Sequence, residues 1–256
     1  MTTEQTTPIA LITGGSRGLG KSIAPHLGAR GVDVILTYKA QAAQARAVVA
    51  ELERLGRRAV ALPLDVTDSA SYPAFADAVA GALSTHWRRT QLDYLVHNAG
   101  TALHASVVET TEAQLDEVYR VHLRPALLLT QRLLPVVRDG GRILTMSSGL
   151  ARFTLPGYAA YAAMKGAVEV LTRYLAKELG PRRISVNAIA PGAVATDFGG
   201  GVVRDNPQVA QMIASTVALG RVGQPDDIGG AVAALLSADA GWINGQRIEI
   251  SGGTLL

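Results

Sequence analysis

The chain of 256 residues has no cysteine, only three phenylalanines and two tryptophans, and almost no excess of either charge. Each shortage closes off a class of function. Without thiols there is no disulfide framework, no thiolate nucleophile and no cysteine-based zinc site. Lys and Arg total 24 against 21 Asp and Glu, a net charge of +3. The basic residues are dispersed in short pairs (Arg57-Arg58, Arg88-Arg89, Arg182-Arg183), which reads as solvated surface and not as a nucleic-acid footprint. The five histidines (His26, His86, His97, His104, His122) show no metal-ligand spacing. No apolar run approaches the ~18 residues that span a bilayer. Met1 to Thr7 is polar and lacks the basic start and apolar stretch of a secretion signal. The expectation is a cytoplasmic protein with no nucleic-acid, membrane or metal partner.

What is plentiful is apolar residue and glycine. Hydrophobic residues make up 48% of the chain and 27 positions are glycine, and mean hydropathy is +0.20. A parallel sheet covered by helices on both faces accounts for this, because its strands are apolar on both sides. The length suits one large α/β domain, taken here as residues 1–256 without linker, repeat or low-complexity segment.

Strand-like and helix-like segments alternate along the whole chain. Strands are expected at Ile9–Thr13, Val32–Thr37, Ala59–Leu64, Leu92–His97, Gly141–Ser147, Ile184–Ile189 and Gln246–Ile250. Helices are expected from Gly18 to about Arg30, over Ala42–Leu55, from Ser69 as N-cap to about Ser84, from Glu112 to Arg138, over Tyr158–Leu179 and over Asp226–Leu236. Pro25 and Pro125 fall inside two of these helices and predict kinks, since each removes a backbone donor. Repeated β-α units imply a Rossmann-like, doubly wound, parallel seven-stranded sheet whose ligand site lies beyond the strand carboxyl ends. The glycine turn after strand one, Asp65 after strand three, Asn98-Ala99-Gly100 after strand four, Ser148 after strand five and Pro191-Gly192 after strand six all fall on that edge.

Three features there carry chemistry. Thr13-Gly14-Gly15-Ser16-Arg17-Gly18-Leu19-Gly20 follows an apolar strand and opens a helix. Glycines permit positive φ and close backbone approach, and unpaired N–H groups at a helix start attract a pyrophosphate. A plain tight turn uses the same glycines. Tyr161 and Lys165, four apart on one helix, share a face, although many helices carry such a pair by chance. Ser148 adds a hydroxyl at a strand end. A phenol, an ammonium and a hydroxyl beside a dinucleotide are the parts needed to reduce a carbonyl.

In combination these residues resemble the short-chain dehydrogenase/reductase superfamily, in its single-domain form, from Pro8 to about Gly253. The likeness rests on Thr13–Gly20, Asp65-Val66, Asn98–Gly100, Ser148, Tyr161-x-x-x-Lys165, Pro191-Gly192 with Val194 and Thr196, Gly220–Ile228 and Ser251-Gly252-Gly253. It is closest in character to 3-oxoacyl-carrier-protein reductases. The resemblance implies hydride transfer with an NAD(P) cofactor. Ser148 would bind the substrate carbonyl oxygen, Tyr161 would deliver or accept the proton, and Lys165 would bind the nicotinamide ribose and acidify the tyrosine. Moving a phenol from pKa ~10 to neutrality needs about 4 kcal/mol of preference for phenolate, which a close, desolvated ammonium helped by the positive charge of the oxidised nicotinamide can supply. Gly14, Ser16, Arg17, Gly18, Leu19 and Gly20 would cradle the cofactor with Asn98, Ala99, Gly100, Val66, Pro191 and Gly192. Asp65 would accept from the adenine amino group, and Val194 and Thr196 would hold the nicotinamide amide.

The chain departs from the family where a Val-Asn-Leu asparagine is usual and Val121-His122-Leu123 stands instead. His122 is either a bystander, if the proton relay uses a backbone carbonyl, or an imidazole that takes part in it. The position usually acidic in NAD-dependent members, at the end of strand two, holds Tyr38, followed by Lys39. With Arg17 and with no opposing carboxylate, that favours NADP(H), NAD(H) being the alternative. His97 reads as a satisfied strand-end histidine.

The expected reaction is NADPH-dependent reduction of a ketone or 3-oxoacyl carbonyl to a secondary alcohol. The alternatives are an alcohol, polyol or steroid dehydrogenase working in oxidation, and a catalytically silent nucleotide-binding regulator. Thr196 to Leu219 would form a mobile, apolar lid (about 196–219), with Phe153, Leu155 and Tyr158 on the opposite wall. Arg138 and Arg182-Arg183 are candidate contacts for an acidic acyl carrier. The resemblance also implies a homotetramer, with Ala126–Leu129 and Ala162–Leu175 as packing faces.

Overall fold

The apolar run Ile9-Ala10-Leu11-Ile12 has no polar side, and all four residues are fully buried. Such a strand needs cover on both faces, and a computed structural model, which describes residues 7–256, shows how it is supplied. The strands are β1 Ile9–Ile12, β2 Asp33–Tyr38, β3 Ala59–Pro63, β4 Leu92–His97, β5 Val137–Met146, β6 Ser185–Pro191 and β7 Arg247–Ile250. They pair in parallel in the order β3-β2-β1-β4-β5-β6-β7. Alternate residues divide between two cores. Ile9, Leu11, Ile35, Leu95 and Ile143 pack with α3 (Tyr72–Ala82), α5 (Arg124–Leu133) and α6 (Ala159–Glu178). Ala10, Ile12, Leu36, Val96 and Leu144 pack with α1 (Gly18–Ala29), α2 (Ala42–Arg54) and α9 (Pro225–Leu235). The remaining helices are α4 Glu112–Val118, α7 Val202–Asp205 and α8 Pro207–Ala214.

Several elements differ from the sequence-based expectation. The helix expected over 112–138 is broken. It runs as α4, a π turn at Tyr119–Leu123, α5 and a 3-10 turn at Leu134–Val136, and β5 then starts at Val137. Pro125 sits in the first turn of α5, where its missing N–H costs little. Val137 pairs with Leu92, and the register shifts between Leu92 and Tyr94 to accommodate Arg138 to Gly141. The expected kink at Pro25 does not interrupt α1, which continues to Ala29. Asp68, not Ser69, caps the turn before α3, its carboxylate accepting from the Ala70 N–H at 3.1 Å. The segment expected only as a cover contains α7 and α8. Asn206 caps α8 through the Gln208 and Val209 amides, with Pro207 in the first turn. The polar start, apart from Thr7, lies outside the described residues. No described helix is long and apolar enough to cross a membrane.

Candidate active site

The glycine turn is tight because neighbouring backbone leaves it no room. A Cβ on Gly14 would lie 2.9 Å from Ala99 Cα, and one on Gly20 would lie 2.4 Å from the Gly14 carbonyl oxygen. Gly14 also has φ +65°, a conformation side chains disfavour. Asn98 clamps the turn from the next strand end: its amide donates to the carbonyls of Thr13 and Gly14, both at 2.9 Å. The Thr13 hydroxyl accepts from the Asn98 and Ala99 amides in return. Above this turn, α1 begins at Gly18 with no side-chain cap and no acidic residue in its first turn. Its free N–H groups fit a pyrophosphate, so the cradle suits a dinucleotide. On the other side, Gly192 packs so closely on β7 that a Cβ would meet Ser251 Cα at 2.9 Å. Val194 bridges to Gly223, and Thr196 is buried with its hydroxyl accepting from the Phe198 amide.

The three chemical groups meet at the ends of β5 and α6. Ser148 is held extended as the cap of a short turn, its Oγ accepting from the Leu150 amide at 3.2 Å. Tyr161 is 7% exposed and Lys165 4%. Lys165 donates to the Met146 carbonyl at 2.7 Å, and its ammonium lies 5.5 Å from the centre of the Tyr161 ring. Burial lowers the lysine to about 7. Phe198 covers Tyr161 with ring centres 6.2 Å apart, and His104 stands edge-on to Tyr158 at 5.0 Å. An aromatic wall therefore flanks the hydroxyl pair. The expected acidified tyrosine is not what these residues alone produce. Burial raises the Tyr161 phenol, the nearby Ser148 hydroxyl only partly offsetting it. The phenol is thus held protonated, ready to donate, and its conjugate base would need a cation beside it.

His122 stands edge-on to Tyr161, ring centres 5.2 Å apart, with Nε2 at 2.9 Å from the Thr101 carbonyl. It is kept neutral, first by burial and then by the lysine charge. His97 is buried as expected, its Nε2 at 2.7 Å from the Thr130 hydroxyl.

At the end of β2 and in the glycine turn, the premise that no carboxylate opposes Arg17 and Lys39 fails. Lys39 pairs with Asp65 at 2.8 Å, and Arg17 pairs with Asp197 at 2.7 Å. The lysine and arginine side chains are nonetheless 68% and 60% exposed. Asp65 also accepts from the Thr67 amide and hydroxyl, so both its oxygens are engaged. Burial would raise its carboxyl, but Lys39 and Thr67 outweigh that and lower it. Tyr38 closes β2 with no acidic group in its place. Of the arginines considered for carrier docking, Arg138 pairs with Asp93 at 3.0 Å and Arg182 with Asp139 and the carbonyls of Leu134 and Val137, while Arg183 is exposed.

The sequence reading missed a charged network behind Ser148. Arg247 donates to the Ser148 carbonyl at 3.2 Å, and also to Glu169 and Glu249. Glu169 in turn accepts from the Ser147 hydroxyl. Arg152 grips Glu249 with two bonds of 2.8 Å and the Thr254 carbonyl with a third, tying the end of the chain to this cluster. Arg152 and Arg247 hold the Glu249 carboxyl down at about 2. Glu169 falls one turn beyond Lys165 on α6, which was a readable hint; its partner 78 residues away was not.

A dinucleotide cradle opening onto a buried hydroxyl, phenol and amine defines an NAD(P)-dependent oxidoreductase. Comparison with known proteins agrees. The family profile described as enoyl-(acyl carrier protein) reductase matches residues 14–254. The hydroxynaphthalene reductase-like protein Arp2 of Metarhizium brunneum is 38% identical, over 96% of this chain and 94% of that protein. The structure of LugOII, described as a promiscuous reductase catalysing keto-reduction at C1 in lugdunomycin biosynthesis, superposes with a TM-score of 0.93 at 36% identity, covering 99% of this chain and 100% of the other. The angucycline C-6 ketoreductase LanV with bound NADP gives a TM-score of 0.92 at 36% identity, covering 98% and 96%. The chain belongs to the short-chain dehydrogenase/reductase family.

Proposed function

We propose that this protein reduces a ketone to a secondary alcohol with NADPH, and that the ketone is carried on an aromatic or fused-ring compound. The observation that carries the chemistry is the convergence of Ser148, Tyr161 and Lys165 in one buried cluster at the mouth of the cradle. Ser148 donates to the carbonyl oxygen, placing a hydrogen bond where negative charge develops. Tyr161 gives its proton to that oxygen, and Lys165 stabilises the phenolate left behind. NADPH supplies the hydride when bound, with Gly14, Ser16, Gly18, Leu19, Gly20, Asn98, Ala99, Gly100, Val66, Pro191, Gly192, Val194 and Thr196 as its holding residues.

Two lines support the finer reading. The cleft wall is aromatic (Tyr158, Phe198 and His104 beside Tyr161), and the names of Arp2, LugOII and LanV concern hydroxynaphthalene or polyketide ketones. A free aromatic ketone is favoured over a carrier-bound 3-oxoacyl group by that aromatic wall. For the cofactor, Arg17 and Lys39 can exchange exposed carboxylate partners for a 2′-phosphate, since such surface pairs contribute only ~0–1 kcal/mol. Thr196 to Leu219, with α7 and α8, acts as the lid through Phe198. Leu127, Leu128, Val170 and Tyr174 on the outer faces of α5 and α6 are exposed and apolar, which suits a homotetramer.

The test is NADPH oxidation with a panel of simple, fused-ring aromatic and acyl-thioester ketones, repeated with NADH. The fused-ring ketones with NADPH are expected to give the highest kcat/KM. Turnover confined to acyl thioesters, or equal rates with NADH, would contradict the substrate or the cofactor half of the proposal respectively.

A further inference from the structure

The charged network beside β7 grips the segment that carries Ser148 at both of its ends. At the start, the Ser147 hydroxyl donates to the Glu169 carboxylate, and Nη2 of Arg247 donates to the Ser148 carbonyl at 3.2 Å. At the far end, Arg152 forks onto both oxygens of Glu249 at 2.8 Å. Between these grips lies the short turn Gly149–Ala151, whose Leu150 amide holds Ser148 Oγ. The Ser148 carbonyl closes that turn by accepting from the Ala151 amide as well, at 3.1 Å. A side chain bonded to this carbonyl therefore bears on the direction of the hydroxyl, through the turn they share.

Arg247 also joins the turn to the helix opposite. Its Nε donates to Glu169 at 2.7 Å and its Nη1 to Glu249 at 2.8 Å. Glu169 lies on α6 one turn beyond Lys165, so Tyr161, Lys165 and the anchor of Ser147 share one helix. The Arg247, Glu169 and Glu249 side chains are only 21%, 15% and 20% exposed, and partly buried pairs are screened far less than open ones. One planar guanidinium thus meets three acceptors on three elements, which a point charge on a flexible stem cannot do.

Resting on the chemistry proposed above, we propose that Arg247 is a positioning residue for Ser148. With Glu169 it fixes the turn from Ser147 to Ala151 against α6, so that the Ser148 and Tyr161 hydroxyls meet at one carbonyl oxygen. Arg247 acts through Ser148 and not on the substrate itself.

The test is a double-mutant cycle of Arg247→Lys with Ser148→Ala, assayed with NADPH and the best ketone of the panel above. The lysine keeps a positive charge beside Glu169 and Glu249 but cannot hold the Ser148 carbonyl at the same time. Arg247→Lys is expected to lower kcat by roughly 10- to 100-fold, the scale of a slightly misplaced group, with melting temperature and NADPH affinity near wild type. Ser148→Ala alone should lose about 10²-fold, as for one preplaced donor. In the Ser148→Ala background the lysine should cost nothing further, because the hydroxyl that Arg247 places is gone. A purely structural role predicts losses that add in full. Additive losses, or unchanged kcat in Arg247→Lys, overturn the role of Arg247 alone. Full activity in Ser148→Ala overturns the proposed chemistry and this role with it. If Arg247→Lys does not fold, Ser147→Ala takes its place in the cycle, since it removes the grip of Glu169 on the same strand end. A loss of kcat that vanishes without the Ser148 hydroxyl is again expected, and an unchanged or additive kcat is the contrary result.

Discussion

The two ends of the cleft handle charge in opposite ways. At one end, Tyr161, Lys165 and His122 are buried with no carboxylate partner among the described residues, and burial moves each away from its charged form. At the other end, beyond β2 and in the glycine turn, Lys39 and Arg17 are open to water and each already holds a carboxylate. A dry site makes each hydrogen bond count heavily, because an unpaired group there cannot fall back on solvent. A wet rim makes its ion pairs cheap to exchange. Under the proposed function, the chemistry would lie where electrostatics is strong and the cofactor choice where charges can be swapped.

His97 sharpens the contrast on the dry side. Burial lowers it to about 4, below ~6.5 in an unfolded chain. The unfolded state therefore binds the extra proton between these values, so the contribution is full above pH 6.5 and is lost as pH falls toward 4. From pH 7 to 5 this amounts to about 2 kcal/mol of lost stability, with His122 acting in the same direction. Denaturant melts of His97→Asn should show a shallower decline over that interval than wild type. Parallel declines would mean that His97 is not held neutral.

On the wet side a reversal should act on selectivity and leave the fold alone. Lys39→Glu is expected to cut kcat/KM for NADPH by about 10-fold, the scale of one charge-assisted phosphate contact. NADH should change little and the melting temperature should hold. An unchanged ratio between the cofactors would reduce Lys39 to the partner of Asp65.

The parts of this architecture that the sequence disclosed are those written in local spacing. Strand ends fell within a few residues, and the turn at Thr13–Gly20, Ser148 and the Tyr161/Lys165 pair came to one edge because parallel β-α units leave their ligands nowhere else. What stayed hidden depends on partners far along the chain. Nothing near Arg247 signals that it will reach the Ser148 carbonyl, and nothing near Arg17 signals Asp197, 180 residues on. The π turn at Tyr119–Leu123 was foreshadowed only by Pro125, and the start of β5 at Val137 escaped because Arg138 to Gly140 carry no strand-like pattern. The burial of the Tyr161 phenol, which raises it, was likewise illegible before the fold was known.

The account stands most directly on the phenolic hydrogen of Tyr161. Single-turnover oxidation of NADPH by Tyr161→Phe with a fused-ring aromatic ketone as the hydride acceptor, and with cofactor binding followed by fluorescence, tests it. The prediction is undiminished NADPH binding, an intact fold, and hydride transfer slowed by about 10³-fold, as for loss of a general acid. Transfer at close to the wild-type rate would contradict it.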